Sequence, residues 1–317
     1  MILSYAGRRF RLSESSTSRQ ICAEDGLRCA RAFCKIVFCA ASLDGVKGKC
    51  KMPLLELLSN LIAPGKNAVK NRDRILILTP VKNASVFIQG YCRRLQQLTY
   101  PHELISVGLL ESDSNDSTYR ALQAHIPALR RQFRRAGMWK RDFGYHVPSG
   151  VHRGVESIQV ERRTVLAKSR NHLLMHALDD EDWVVWLDVD VIEYPPDIIE
   201  RLLGTGKEIV HPHCVLEFGG ETFDKNAWRD KGRYHMDDLR QEGELVELDA
   251  VGGTMLLVRA DLHRDGLIFP AFPYGHENVR RRPERGELET EGLGLMAQDM
   301  GHQCWGTPHL EIRHAKW

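Results

Sequence analysis

The sequence predicts an α/β fold with a mostly parallel central sheet and helices on both faces. Three observations carry that expectation. Short, uncharged apolar runs recur at residues 75–78, 104–110 and 183–187. Segments of helical periodicity occupy the intervals, at 84–98 and 160–178. The last apolar run stops at two carboxylates one residue apart, Asp188 and Asp190. Strands that alternate with helices are joined by crossovers into a parallel sheet whose faces are both covered. In such sheets ligands bind outside the carboxyl ends of the strands.

Residues 1–70 show no strong period apart from a short amphipathic stretch at 52–62, ended by Pro64 and Gly65. They read as a poorly defined N-terminal extension, and 71–317 as one catalytic-size domain. Five of the eight cysteines (Cys22, Cys29, Cys34, Cys39 and Cys50) fall in the extension, at spacings that match no zinc pattern. With Cys92, Cys214 and Cys304 scattered beyond them, free or locally paired thiols are expected, and the redox compartment stays open.

From residue 74 the elements follow in order. Residues 74–79 make a buried strand and 80–83 a loop. Helix 84–98 places Val86, Phe87, Tyr91, Leu95 and Leu98 on one side. A second strand at 104–110 ends in Glu111, Ser112 and Asp113, after which Ser114 or Asn115 caps a long basic helix reaching about Arg135. Residues 142–147 read as a third strand, 160–178 as a helix and 183–187 as a fourth strand. Tyr194, Pro195, Pro196 and Asp197 then break the chain and open a helix. Farther on, Gly252 and Gly253 precede an apolar strand, Glu289 to Glu291 open a helix over 293–300, and 310–314 is strand-like. Two sequons, at Asn83 and Asn115, sit at loop and helix starts and read as caps.

Composition excludes several classes. With 43% hydrophobic and 27% charged residues among 317, the chain buries an ordinary globular core. A net charge of +2 supplies little global field for nucleic acid, and no nucleic-acid motif is present. No run approaches the ~18 apolar residues of a membrane span. The best candidate, 30–41, is interrupted by Arg31 and Lys35, and no signal peptide is visible after Met1.

The chemistry centres on Asp188 and Asp190. A buried strand that ends in Asp-x-Asp presents oxygen ligands to a divalent cation, although two nearby acids on a loop are also often merely solvated. Thr79, Pro80 and Val81 at one strand end and Asp113 at another would then wall a nucleotide pocket. No Gly-x-Gly-x-x-Gly or Walker sequence is present, so phosphates must be held by another device, for which a metal is the obvious candidate. Arg163 and Arg170, seven residues apart, lie ~10 Å apart along one face of a helix and supply cations; a solvated basic face is the alternative. Gly252 and Gly253 suit a sugar pressed against the backbone, or a tight turn. Glu289 and Glu291 at a helix start could place a carboxylate near a reacting sugar. His314 could complete the Asp-x-Asp site as a neutral imidazole ligand.

Taken in order, the segments 75–80 (ILILTP), 98–106 (LTYPHELIS), 169–171 (SRN), 186–190 (WLDVD), 251–254 (VGGT), 260–266 (ADLHRDG), 269–270 (FP) and 289–292 (ETEG) resemble the mannan polymerase subunit family of fungal α-mannosyltransferases. The resemblance covers nearly all of 74–314. It implies a GT-A fold, GDP-mannose as donor, manganese as the ion, transfer that retains the α configuration to a mannan or glycan acceptor, other glycosyltransferase subunits as partners, and a Golgi location. By position it makes Asp188, Asp190 and His314 the metal set, and it puts Arg163 and Arg170 on the diphosphate. Thr79, Pro80, Val81 and Asp113 then frame the nucleoside, while Asp249, Glu289 and Glu291 face the acceptor. The chain departs from the family pattern at Lys168, where arginine is expected, at Ala250, where glycine is expected, and in an arginine-rich loop around 278–286. The leading expectation is a metal-dependent glycosyltransferase. A scaffold or glycan-binding subunit that keeps the fold without catalysis is the alternative, and a nucleotidyltransferase is a more distant one.

Overall fold

The apolar runs pair with one another because each is uncharged on both sides, so each can be covered on both faces. In the computed structural model, which describes residues 2–5, 8–11, 73–148, 150–151, 155–275 and 286–316, they form the middle of a nine-stranded sheet. The chain divides into two units, Met1–Gly65 and Lys66–Trp317. In the first, β1 (Ile2–Tyr5) and β2 (Arg8–Arg11) pair antiparallel. The stretch at 52–62, the five early cysteines and the loop arginines Arg280, Arg281, Arg282 and Arg285 lie outside the described residues.

The second unit holds the sheet. Its strands are β3 (Ile75–Val81), β4 (Ile105–Glu111), β5 (Arg135–Lys140), β6 (Trp183–Leu187), β7 (Val191–Glu193), β8 (Ile209–Val215), β9 (Val246–Leu248), β10 (Met255–Arg259) and β11 (Cys304–His314). They run in the order β5-β4-β3-β6-β10-β8-β11-β7, with β9 also on β11. The strands β5, β4, β3 and β6 are mutually parallel, whereas β10 enters antiparallel between β6 and β8. This is the expected α/β architecture, parallel from β5 to β6 and mixed on the far side.

Alternation along each strand builds two cores. Ile75, Ile77, Val185 and Leu187 point to one face, under α1 (Ser85–Gln96), α2 (Thr118–Gln132) and α4 (Ile198–Gly204). Leu76, Leu78, Val184 and Trp186 point to the other, under α3 (Gln159–Ala177), α5 (Ala260–Arg264) and α6 (Glu289–Asp299). Among the described residues no helix is long and apolar enough to cross a membrane. Cys92, Cys214 and Cys304 are buried and free.

Three local expectations are corrected. The third strand is Arg135–Lys140, and 141–148 is irregular. As a half-covered edge strand β5 tolerates basic residues, so its charges hid it behind the Phe143, Tyr145, Val147 alternation. The second helix begins at Thr118, with Asp116 Oδ1 accepting from the Thr118 N–H, so neither Ser114 nor Asn115 caps it. Asn83 and Asn115 do not cap helices either: Asn83 Oδ1 accepts from the Asn115 N–H at 2.9 Å, and Ser114 Oγ accepts from the Asn83 N–H at 2.9 Å, which pins the β3 and β4 loops together.

Trp186, fully buried on β6, packs edge-on against Phe269 at 4.8 Å and donates its indole N–H to His263 Nε2 at 3.2 Å. His263 Nδ1 is 2.6 Å from the Leu267 carbonyl and therefore carries the ring's other proton position. Burial pushes this histidine down to about 4. The unfolded chain, with histidine near 6.5, therefore binds the proton first, and stability conferred by the neutral ring is lost as pH falls from about 6.5 towards 4. Urea titrations between pH 7 and 4 should show the wild type losing on the order of 2–3 kcal/mol more than His263→Gln, whose amide does not titrate. Parallel pH curves for the two proteins would refute this role.

Candidate functional site

β6 carries the site because two neighbours of different kinds flank it. β3 lies on one side and parallel, β10 on the other and antiparallel. The loops that leave β3 and β6 therefore diverge at a switch point, where a crevice opens at the carboxyl ends of the strands. Asp188 N donates to the Thr254 carbonyl at 2.9 Å, which locks the Asp-x-Asp loop against the turn before β10. Ala315 N donates to the Asp190 carbonyl at 2.9 Å, which brings the end of β11 beside it.

Two cavities meet there. The larger, about 800 Å³, is lined by Asp188, Asp190, Asp224, Glu289 and His314 among others. The smaller, about 290 Å³, is lined by Pro80, Val81, Lys82, Ser112 and Tyr145 among others. Both include Arg162, Leu166, Arg170, Asp188 and Asp190, so two cations and two carboxylates stand at their junction.

Arg170 is the centre of the charge network. Its side chain is 3% exposed, with the guanidinium 5.6 Å from the Trp186 ring and 5.4 Å from that of Phe269. Nε donates to Glu289 Oε1 at 2.9 Å, and Nη2 donates to Asp188 Oδ1 at 3.0 Å and the Gly253 carbonyl at 3.3 Å. Burial opposes the charge, but the Asp188 and Glu289 carboxylates outweigh it and raise the arginine above its usual range. Nη1 is buried and has no hydrogen-bond partner among the described residues. Asn171, one residue on, exchanges two hydrogen bonds with the Phe269 backbone, at 2.7 and 2.9 Å, and so fixes the ring against which Arg170 packs.

The metal candidates converge at the other end. His314 Nε2 lies 3.1 Å from Asp190 Oδ1, and its Nδ1 lies 2.7 Å from the Ala315 carbonyl. The carbonyl fixes the tautomer, as an outer partner does for a ligating histidine. Burial would lower His314, yet the Asp190 carboxylate raises it overall. Burial, opposed by Arg170 and reinforced by Asp190, pushes the Asp188 carboxyl up to about 6. Among the described residues no three carboxylate, thiol or imidazole groups are already spaced around one point. The donor set still fits a divalent cation: two carboxylates and an oriented imidazole, beside an arginine whose buried Nη1 has no hydrogen-bond partner among the described residues.

Several sequence-based candidates stand elsewhere. Thr79 is fully buried beneath the crevice, donating to the Leu187 carbonyl and accepting from the Tyr91 hydroxyl, both at 2.7 Å. Pro80 and Val81 do line the smaller cavity. Asp113 lines neither cavity; its carboxylate accepts the Phe143 and Gly144 N–H groups at 2.8–3.1 Å and so shapes the loop that presents Tyr145. Arg163 turns to α6, pairing with Glu291 Oε2 at 2.6 Å and the Leu288 carbonyl at 2.6 Å, while its neighbour Arg162 lines both cavities. Glu291 also accepts the Trp228 indole N–H at 2.6 Å, and Asp249 accepts the Asp230 N–H at 2.7 Å, so neither faces the crevice. Glu289 alone of the three acceptor candidates lines it, from a left-handed backbone at φ 54°.

The double glycine serves the protein's own side chains. Neither glycine has positive φ. A Cβ on Gly252 would stand 2.1 Å from Asp224 Oδ2, and one on Gly253 2.5 Å from Arg170 Nη2. Arg162 was detectable in the sequence, since 162, 166 and 170 share a helix face at steps of four. Asp224, Lys225 and Asn226 had no such signal, because they lie on an irregular loop held at the crevice by a bridge to β8 and by hydrogen bonds to the turn before β10.

A family model described as Anp1 matches residues 58–235 and 230–273. Mannan polymerase complex subunit mnn9 of Schizosaccharomyces pombe is 30% identical over 295 residues, covering 80% of this chain and 84% of the relative. Mannan polymerase complex subunit MNN9 of Candida albicans is 28% identical over 301 residues, covering 80% and 78%. Among solved structures, the mannosyltransferase PcManGT from Pyrobaculum calidifontis, in complex with GDP-Man and Mn2+, aligns with a TM-score of 0.49 at 17% identity. That alignment covers 77% of this chain and 57% of the other.

Removing one member of a buried ion pair leaves the other charge uncompensated. Arg170→Met is therefore expected to cost on the order of 3–5 kcal/mol in urea unfolding, and the double variant Arg170→Met with Glu289→Met less than that. A single variant as stable as wild type would contradict the network described.

Proposed function

Because the chain belongs to the Anp1 family, we propose that it is a metal-dependent glycosyltransferase that moves mannose from GDP-mannose to a glycan acceptor with retention of configuration. The observation that carries this reading is the junction itself. Arg162 and Arg170 meet Asp188 and Asp190 where the two cavities join, so a diphosphate at that point would extend a nucleoside into one cavity and a sugar into the other.

Each residue then has a physical task. Pro80, Val81, Lys82 and Tyr145 wall the nucleoside cavity. Arg170, positioned by Glu289 and the Trp186 and Phe269 rings, directs positive charge at the diphosphate as it departs. Asp188, Asp190 and His314 would hold a divalent ion, which when bound supplies further charge neutralisation on the leaving diphosphate. Retention requires no separate general base, since the departing phosphate lies on the face from which the acceptor hydroxyl arrives and can take its proton. The mannan polymerase names of the relatives support mannose as the sugar and a place among other glycosyltransferase subunits. A non-catalytic subunit is the competing reading, favoured by the lack of a ready three-ligand cluster among the described residues.

Donor turnover with and without manganese separates the two. The wild type is expected to release GDP from GDP-mannose only when a divalent ion is present, and Asp190→Ala to lower kcat/KM by roughly 100-fold or more, ~2.7 kcal/mol. Folded wild-type protein that turns over no nucleotide sugar would overturn the catalytic reading. Arg162→Ala should raise the donor KM about ten-fold, ~1.4 kcal/mol, whereas Arg163→Ala should act mainly on the melting temperature. The reverse pattern would return the diphosphate contact to Arg163.

A further inference from the structure

Asp224 has no part in the transfer described so far, yet it is a buried carboxylate on the wall of the larger cavity, 8% exposed. It sits on the loop between β8 and β9. Oδ2 accepts three hydrogen bonds from one turn: the Gly253 N–H at 3.0 Å, the Thr254 N–H at 3.2 Å and the Thr254 hydroxyl at 3.0 Å. Gly252, having no Cβ, permits this approach, and His211 Nε2 stands behind at 3.5 Å. Although burial works against the charge, the His211 ring and the Thr254 donors hold the carboxyl well below the usual range. The group is thus an ionised and immobilised acceptor. Oδ1 is less engaged, taking only the Asn226 N–H at 3.3 Å among the hydrogen bonds of the described residues.

Position then assigns a ligand class. Asp224 lines the larger cavity and is absent from the smaller, nucleoside-sized one. The residues common to both mark the diphosphate, so the side on which Asp224 lies must receive whatever is joined to that diphosphate. Asn226 and Lys225 line the same cavity. A rigid carboxylate acceptor with an amide beside it has the chemistry of a polyol site, since sugar hydroxyls both donate and accept.

We propose that Asp224 is the residue that recognises the transferred hexose of the donor, its Oδ1 accepting sugar hydroxyl protons while Asn226 supplies an adjacent amide. This rests on the nucleotide-sugar reading above. A site built to bond a hydroxyl discriminates through the group it would otherwise leave unpaired, so the effect belongs to the sugar and not to the nucleotide.

Calorimetric titration with GDP and with GDP-mannose, each in the presence of manganese, tests it on wild type, Asp224→Asn and Asn226→Ala. The quantity read is the Kd for GDP-mannose divided by the Kd for GDP. It should rise about ten-fold or more in Asp224→Asn, as expected for losing a hydrogen bond to a charged group, and in the same direction in Asn226→Ala, with the GDP Kd held within about two-fold. A ratio equal to wild type, or both ligands weakening together, would show that Asp224 only braces the Gly253 turn. Should Asp224→Asn fail to fold, Asn226→Ala carries the test, since its side-chain amide bonds to no other described residue. Wild type that binds neither ligand would overturn the nucleotide-sugar reading itself, whereas wild type that binds both with an unchanged ratio in the variants overturns only the role of Asp224.

Discussion

Everything at the crevice depends on one buried cation. Arg170 joins α3 to the end of β6 through Asp188, to the start of α6 through Glu289 and to the turn before β10 through the Gly253 carbonyl. Such a charge is costly to bury and persists only where its partners are held in place. Here they are held by the fold: Asp188 by the Thr254 carbonyl, Glu289 by a left-handed backbone at the helix start, and the guanidinium by two aromatic rings. Substituting any of these neighbours alters where the positive charge points.

The sheet explains why the charge lies where it does. β3 and β6 are parallel neighbours whose following loops part, and the antiparallel β10 brings Gly252, Gly253 and Thr254 to the same edge. The glycines admit two side chains, Arg170 from one cavity wall and Asp224 from another. A backbone feature that suits close approach of a ligand thus first serves close approach of the protein's own charged groups. Cation and carboxylate sit on either side of one turn, which suits a molecule that is anionic at one part and hydroxylated at the next.

The parallel half of the fold was legible because burial on both faces leaves uncharged runs, and 75–78, 104–110 and 183–187 became β3, β4 and β6. β8 was not, since Pro212 and two histidines interrupt its pattern; the structure accommodates that proline opposite a register shift in β11 between Thr307 and Glu311. β5 was misplaced because an edge strand need not be apolar. At the site, Asp188, Asp190, Arg170 and His314 converge, since the two aspartates and the histidine lie at strand ends and Arg170 lies in the middle of α3, on its buried face. Residues whose direction depends on a neighbouring element could not be read that way. Arg163, one position from the face that Arg162 shares with Leu166 and Arg170, turns to α6 instead, and only the place of α6 with Glu291 accounts for that. Asp113 and Thr79 have suitable chemistry at suitable strand ends, but backbone donors and a neighbouring carbonyl consume their polar atoms.

In the function proposed, Asp188, Asp190 and His314 would hold a divalent cation whose coordination a diphosphate completes beside Arg170. Electron paramagnetic resonance of manganese titrated into the folded protein, with and without GDP, tests it most directly. Weak uptake of the ion by the protein alone and a marked loss of the free-manganese signal when GDP is added are expected, both abolished in Asp190→Ala. An identical free-manganese signal with and without GDP, in wild-type protein that remains folded, would contradict it.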